Sequence, residues 1–158
     1  AAESVQPAAA GREQTLRLHL PPHPVRVDGD RARLLQVIEN LLTNAVKFSA
    51  HGGLIELSLS HEGGAAPAAV LTVRDEGVGI PPEKLNSVFE IFTQLDATID
   101  RSQGGLGIGL ALVRRLVQMH GGSVAADSRG PGTGATFTVR LPALADDATA
   151  VDAPAVAS

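Results

Sequence analysis

Residues 38–48, IENLLTNAVKF, decide how the rest of the chain is read. Leucine, isoleucine and valine recur there at helical spacing, yet Asn40, Asn44 and Lys47 break the run. Asp30 offers a side-chain cap upstream and the polar, glycine-rich SAHGG a stop downstream, which predicts a helix over about residues 31–48. At about 100° per residue from Asn40, Leu34, Val37, Ile38, Leu41, Leu42 and Ala45 fill an arc from about 60° to about 200°. That arc is the expected buried face. Asn44 falls at about 40°, Arg33 at about 20°, Lys47 at about −20° and Gln36 at about −40°, so amides and cations form one stripe beside the core. Amide oxygens are hard ligands that suit Mg²⁺, and a nearby ammonium can meet phosphate oxygens. A solvated helix face is the other reading of the stripe.

Outward from this helix the chain alternates strands and loops. Residues 15–20, TLRLHL, have period two and stop at Pro21 and Pro22, so they read as a strand, with VRV at 25–27 as a short partner. LIELSLS at 54–60 and AVLTVRD at 69–75 read as strands around the turn HEGGAAPA. PEKLNSVFEIF points to a short helix, residues 93–105 to a long loop, and Gly107–Met119 to a second helix stopped by Gly121 and Gly122. SVAA and ATFTVRL supply the last strands. Residues 1–14 are small and polar without apolar period and read as a linker or frayed segment, and residues 142–158 as a disordered, alanine-rich tail. The order predicts an α+β fold: a two-layer α/β sandwich with a mixed, mostly antiparallel sheet and helices on one face, spanning residues 15–141.

Composition narrows the function classes. A chain of 158 residues with 44% hydrophobic content can bury the core of one domain. A net charge of −4 and scattered arginines give no basic field for nucleic acid. Without cysteine there is neither a disulfide framework nor a thiolate metal site. Apolar runs are too short for a membrane-spanning helix and no signal peptide is visible, so the domain is expected to be soluble and cytoplasmic with no membrane contact of its own. The first residue is not Met, which points to a piece of a longer protein, itself open to membrane anchoring elsewhere.

Two further stretches carry chemistry. In DEGVGIP at 75–81, Asp75 is an acceptor at a strand end, and Gly77 and Gly79 remove Cβ atoms where a flat ligand could meet backbone. A carboxylate there can accept from an exocyclic amine such as that of adenine; an ordinary glycine turn is the alternative. In GGLGIGLALV at 104–113, glycines 104, 105, 107 and 109 lead into a helix. Each costs up to about 1 kcal/mol against Ala, and bare amides at a positive helix end make a phosphate cradle, the alternative being a flexible hinge. No Lys-Ser/Thr follows, which excludes a P-loop, and Leu110 stands where a dinucleotide fingerprint needs its last glycine.

Together, in this order and spacing, these stretches resemble the ATP-binding catalytic domain of bacterial sensor histidine kinases, in the superfamily shared with gyrase and certain chaperone ATPases. NLLTNAVKF resembles the N box, DEGVGI the G1 box, VFEIF the F box, GGLGIGL the G2 box and GTGATFTVRLP the closing strand element. The resemblance implies that ATP and Mg²⁺ are bound, with Asn44 as metal ligand, Asn40 assisting and Lys47 on phosphate. It places Asp75 on the adenine amine, Gly77 and Gly79 beneath the base, and Thr136 as a hydroxyl near it. It makes residues 93–104 a lid flanked by Phe89 and Phe92, with Arg101 and Gln103 as phosphate contacts and Gly105, Gly107 and Gly109 presenting backbone to the phosphates. Ile80, Leu106 and Leu110 complete the implied nucleotide pocket.

In such kinases the acceptor histidine lies on a separate helical dimerisation domain, followed by an acidic residue, an arginine and a proline. None of His19, His23, His51, His61 or His120 has that context, and all five read as plain surface histidines. The implied partners are the histidine-bearing dimerisation domain of the same parent and, indirectly, a response-regulator receiver domain; the isolated domain is expected to be a monomer. The superfamily's ATPases carry a water-activating glutamate four residues before the metal asparagine. Here Asn40 holds that position and Glu39 lies about 100° around the helix, so hydrolysis is expected to be slow. A nucleotide-responsive binding module without transfer, and a gyrase-type ATPase, are the competing readings.

Overall fold

Alternation of apolar and polar residues builds the sheet. In β2 (Leu54–Glu62), β3 (Ala68–Asp75) and β5 (Ala135–Pro142), Ile55 and Leu57, Leu71 and Val73, and Phe137 and Val139 are buried. Their neighbours Glu56, Arg74, Thr72 and Thr138 belong to the opposite face, because successive side chains in a strand point to opposite sides. The computed structural model describes residues 1–90 and 109–144. Among these residues five strands run in the order β1-β2-β3-β5-β4, with β1 at Thr15–His19 and β4 at Ser123–Asp127. β1 pairs parallel with β2 and every other pair is antiparallel, the mixed, mostly antiparallel α+β sheet expected.

The helices α2 (Arg31–Phe48) and α3 (Gly109–Met119) cover the apolar face. Asp30 caps α2, its Oδ1 accepting from Ala32 N (2.9 Å) and Arg33 N (3.3 Å). Val37, Leu41, Leu42 and Ala45 are buried, as the 3.6-residue period requires, and meet Val113, Leu116 and Val117 of α3 in one core. Leu42 is 0% exposed; burial of such a side chain contributes about 1.5–3 kcal/mol. After Met119 the chain turns back, with Gly122 N donating to Val117 O at 3.0 Å. Among the described residues no helix is long and apolar enough to cross a membrane.

Residues 1–14 are not a linker. They form α1 (Ala2–Gly11), whose Val5 and Ala9 are buried in the core beside α2. The bond that Pro7 cannot make is offset by packing in the assembled core, where Val5 and Ala9 are buried and Ala1 and Ala2 pack against the same cluster. VRV does not pair with β1; Val27 makes one isolated antiparallel bridge to Ala143, because Pro21, Pro22 and Pro24 interrupt any ladder leading into it. PEKLNSVFE is not an α-helix. Pro82–Lys84 is a single 3₁₀ turn, and Ser87 N to Lys84 O and Glu90 N to Ser87 O continue in i to i−3 bonds, with the Ser87 hydroxyl also taking Lys84 O. His120 is no plain surface residue either: its Nε2 accepts from Asp30 N (3.1 Å) and its Nδ1 bonds Leu116 O (2.7 Å), bracing the end of α3 against the start of α2.

Candidate functional site

The end of β3 holds the most unusual group in the described structure. Asp75 lies on the core face, 5% exposed, and its Oδ1 accepts from Gly77 N at 2.9 Å. Burial pushes its pKa up to about 6, while backbone hydrogen bonds from Gly77 and Ala135 pull in the opposite direction. No arginine or lysine is paired with it among the described residues.

The loop after Asp75 is set by close approaches of backbone. A Cβ on Gly77 would collide with Phe48 O, and one on Gly79, which has φ +73°, with Gly130 O. These glycines are therefore required by contacts within the protein, as the alternative of a glycine turn would have it, whether or not a ligand also meets the backbone there. Gly132 N donates to Val78 O (2.7 Å) and Gly134 N to Gly77 O (3.1 Å), so the turn before β5 closes over the loop. Ser128 ties the two together, accepting from Ile80 N (3.0 Å) and donating to Gly134 O (2.7 Å). Sequence reasoning missed Ser128; its only signal was a hydroxyl directly before the glycine-rich RGPGTG. Ile80 itself is 1% exposed and belongs to the core below the loop.

The same loop grips the end of α2. Val78 N donates to Phe48 O at 3.1 Å, and Ser49 and Gly77 form an isolated antiparallel bridge. Asn44 lies one turn before Phe48, about 6 Å of helix rise. Asn40, Asn44 and Lys47 are half-buried, with Lys47 Nζ at 5.7 Å from the centroid of the Phe48 ring. Neither asparagine side chain is hydrogen-bonded to a described residue. The amide stripe and the buried carboxylate are thus brought to one end of the sheet. Among the described residues no cluster of three His, Cys, Asp or Glu could hold a metal, so a cation here would rely on amide oxygen and on oxygens of its own ligand.

Thr136 does not join them. It pairs with Arg74 and Asp127, on the sheet face opposite Asp75, and Ala135 is the residue directly across from Asp75. A step of one residue along β5 reverses the face. Gly109 opens α3 among the described residues and Leu110 packs against the core. Phe89 is buried edge-on to Phe137 at 6.0 Å. Phe92, Arg101, Gln103, Gly105, Leu106 and Gly107 lie outside the described residues.

Comparison with known proteins agrees with this architecture. The family profile described as histidine kinase-, DNA gyrase B- and HSP90-like ATPase matches residues 29–145. The chain is 45% identical over 120 residues to the circadian input-output histidine kinase CikA of Synechococcus elongatus, covering 74% of this chain and 15% of that protein. Among solved structures, the mycobacterial sensor histidine kinase MprB superposes with a TM-score of 0.76 at 30% identity, covering 92% of this chain and 94% of that one. Full-length ShkA in complex with AMPPNP superposes with a TM-score of 0.78 at 31% identity, covering 93% of this chain and 29% of that one. The chain spans 15% and 29% of the length of the first curated relatives it matches. With more than half of its residues matched by the profile, the chain belongs to the histidine kinase-, DNA gyrase B- and HSP90-like ATPase family.

Proposed function

We propose that this domain binds ATP with Mg²⁺ between the polar stripe of α2 and the loop after β3, and supplies the γ-phosphoryl group to a histidine on the dimerisation domain of a longer sensor kinase. Asp75 carries the reading. A buried carboxylate with no cation beside it among the described residues is costly, and its presence at a strand end is accounted for by an amine donor that it must recognise. The exocyclic amine of adenine is such a donor. Asn44 gives its amide oxygen to Mg²⁺, Asn40 assists, and Lys47 meets a phosphate oxygen. Mg²⁺ held by one amide and by phosphate oxygens supplies charge neutralisation, which together with positioning is most of what phosphoryl transfer asks of a protein. Gly109 and Leu110 at the start of α3, with Gly105, Leu106 and Gly107 before them, form the phosphate side, Arg101 and Gln103 belong to the lid, and Phe92 flanks it.

The family and the AMPPNP complex of a solved relative support nucleotide binding. Asn40, in place of the water-activating glutamate of the ATPases, favours transfer over hydrolysis. The nucleophile comes from the partner domain, which passes the phosphoryl group on to a receiver domain; the catalytic domain itself is a cytoplasmic monomer that needs no nucleic acid. Calorimetry with ATP and Mg²⁺ tests the site: Asn44→Ala is expected to abolish the Mg²⁺-dependent part of binding and Asp75→Asn the preference for adenine. Wild-type affinity in both variants would overturn the assignment. An acid-labile phosphoryl label on an added cognate histidine domain is expected of the kinase; its absence, with steady phosphate release instead, would favour an ATPase.

A further inference from the structure

The segment before β1 does more than pack. Gln14 is 7% exposed, and its Nε2 reaches three carbonyls at the end of α2: Val46 O (3.0 Å), Ser49 O (3.4 Å) and Ala50 O (3.4 Å). Arg12 Nη2 donates to Ser49 O at 3.2 Å. Backbone bonds lock the two segments in register, Gly52 N to Arg12 O (2.9 Å) and Thr15 N to Gly53 O (3.0 Å), while Gln14 N is held by Ala9 O (2.9 Å) of α1. The last carbonyls of a helix have no partner inside it. Here Val46 O and Ser49 O are taken by Gln14 and Arg12, and Phe48 O by Val78 N of the Asp75 loop. The end of α2 is therefore held from one side by the N-terminal segment and from the other by the loop carrying Asp75. Ser49 sits in both contacts, bonded by its carbonyl to Gln14 and bridged to Gly77.

We infer that Gln14 is a positioning residue for the nucleotide site: its side-chain amide fixes the last turn of α2, and through Phe48 and Ser49 it sets where the Asp75 loop stands relative to Asn44 and Lys47. The inference rests on the nucleotide-binding reading above. Buried polar atoms of this cluster, Gln14 Oε1, Arg12 Nε and Ser49 Oγ, find no partner among the described residues. An apolar side chain at position 14 would avoid part of that cost, so packing alone does not account for the glutamine.

The test uses the whole chain with ATP and Mg²⁺ as the probe. Gln14→Met keeps the volume and removes the donor. It is expected to weaken ATP affinity about fivefold, the effect of losing a buried hydrogen bond. Amide exchange at Val78 is expected to speed up while amides at the centre of β2 and β3 keep their rates; a merely structural role would accelerate all of them together. Unchanged affinity and unchanged exchange at Val78 in a folded Gln14→Met variant would overturn the inference and leave the nucleotide-binding reading intact. If the wild-type chain binds no ATP, both fall. Should Gln14→Met not fold, Arg12→Met removes only the Ser49 bond and is expected to weaken affinity about twofold; wild-type affinity there overturns the inference as well.

Discussion

Burial disfavours the charged form of a carboxylate, and Asp75 is the residue where that matters most. Its folded pKa of about 6 lies above its ordinary value of 3.8. Because the folded value is the higher one, the ionised carboxylate costs stability above about pH 6, on the order of 3 kcal/mol for a shift of this size. That penalty is relieved as pH falls from about 6 to about 4, so the Asp75 contribution to folding becomes more favourable on acidification. Nucleotide binding is expected to move the other way. An ionised carboxylate accepts from an amine more strongly than the neutral acid does, so ATP affinity should fall as pH drops below about 6, and this fall, measured by calorimetry against Asp75→Asn as the control for titration of the phosphates, should vanish in the variant. Equal pH profiles for the two chains would remove Asp75 from the site. The residue was legible in the sequence because an acid at a strand end followed by paired glycines is a local signal. Thr136 was misplaced because its face depends on the register of β5, which only the pairing of Ala135 with Asp75 reveals.

Elements were legible in proportion to how much of their reason for existing is local. α2 could be read nearly to the residue, since its cap, its apolar period and its polar stop all lie within its own sequence. α1 could not, because Val5 and Ala9 find their partners only in the assembled core and Pro7 argues locally against a helix. The 3₁₀ turn at Pro82–Lys84 was overread as a helix for the opposite reason: an apolar spacing was present, but prolines, Asn86 and Ser87 favoured turns. The cap of α2 makes an element-scale prediction. Asp30→Ala removes the acceptor for Ala32 N and Arg33 N and is expected to cost about 1 kcal/mol in urea unfolding. The Asp30 backbone N–H also anchors His120, so the loss should couple to that of His120→Ala rather than add to it. Strict additivity of the two variants would mean that the start of α2 and the end of α3 are held independently.

At the scale of the whole molecule, what escaped the sequence is how β1 enters the sheet. β1 and β2 are parallel, and a parallel pair needs a crossover; α2 is that crossover, so the helix bearing Asn40, Asn44 and Lys47 also determines the sheet's one parallel seam. The strand order β1-β2-β3-β5-β4 then puts β3 at the centre and delivers Asp75 beside the end of α2. Long-range pairing of this kind leaves no local mark, which is why the fold class was readable and the connection was not. The same logic moves the boundary of the folding unit. A domain beginning at Thr15 would lose Val5 and Ala9 from the core and leave Val46 O without Gln14. Such a truncated chain is expected to be less stable by at least about 3 kcal/mol, one buried valine plus the hydrogen bonds of Gln14, Arg12 and Gly52, as read by urea titration. Circular dichroism should still report the sheet, because β2, β3 and β5 pair without α1. Saturating ATP with Mg²⁺ restores stability only to the extent that the truncated chain still binds it, about 2.7 kcal/mol at a hundredfold excess over Kd. If the chain from Thr15 onward unfolds at the same urea concentration as the full one, α1 contributes nothing to the core and the boundary read from the sequence stands.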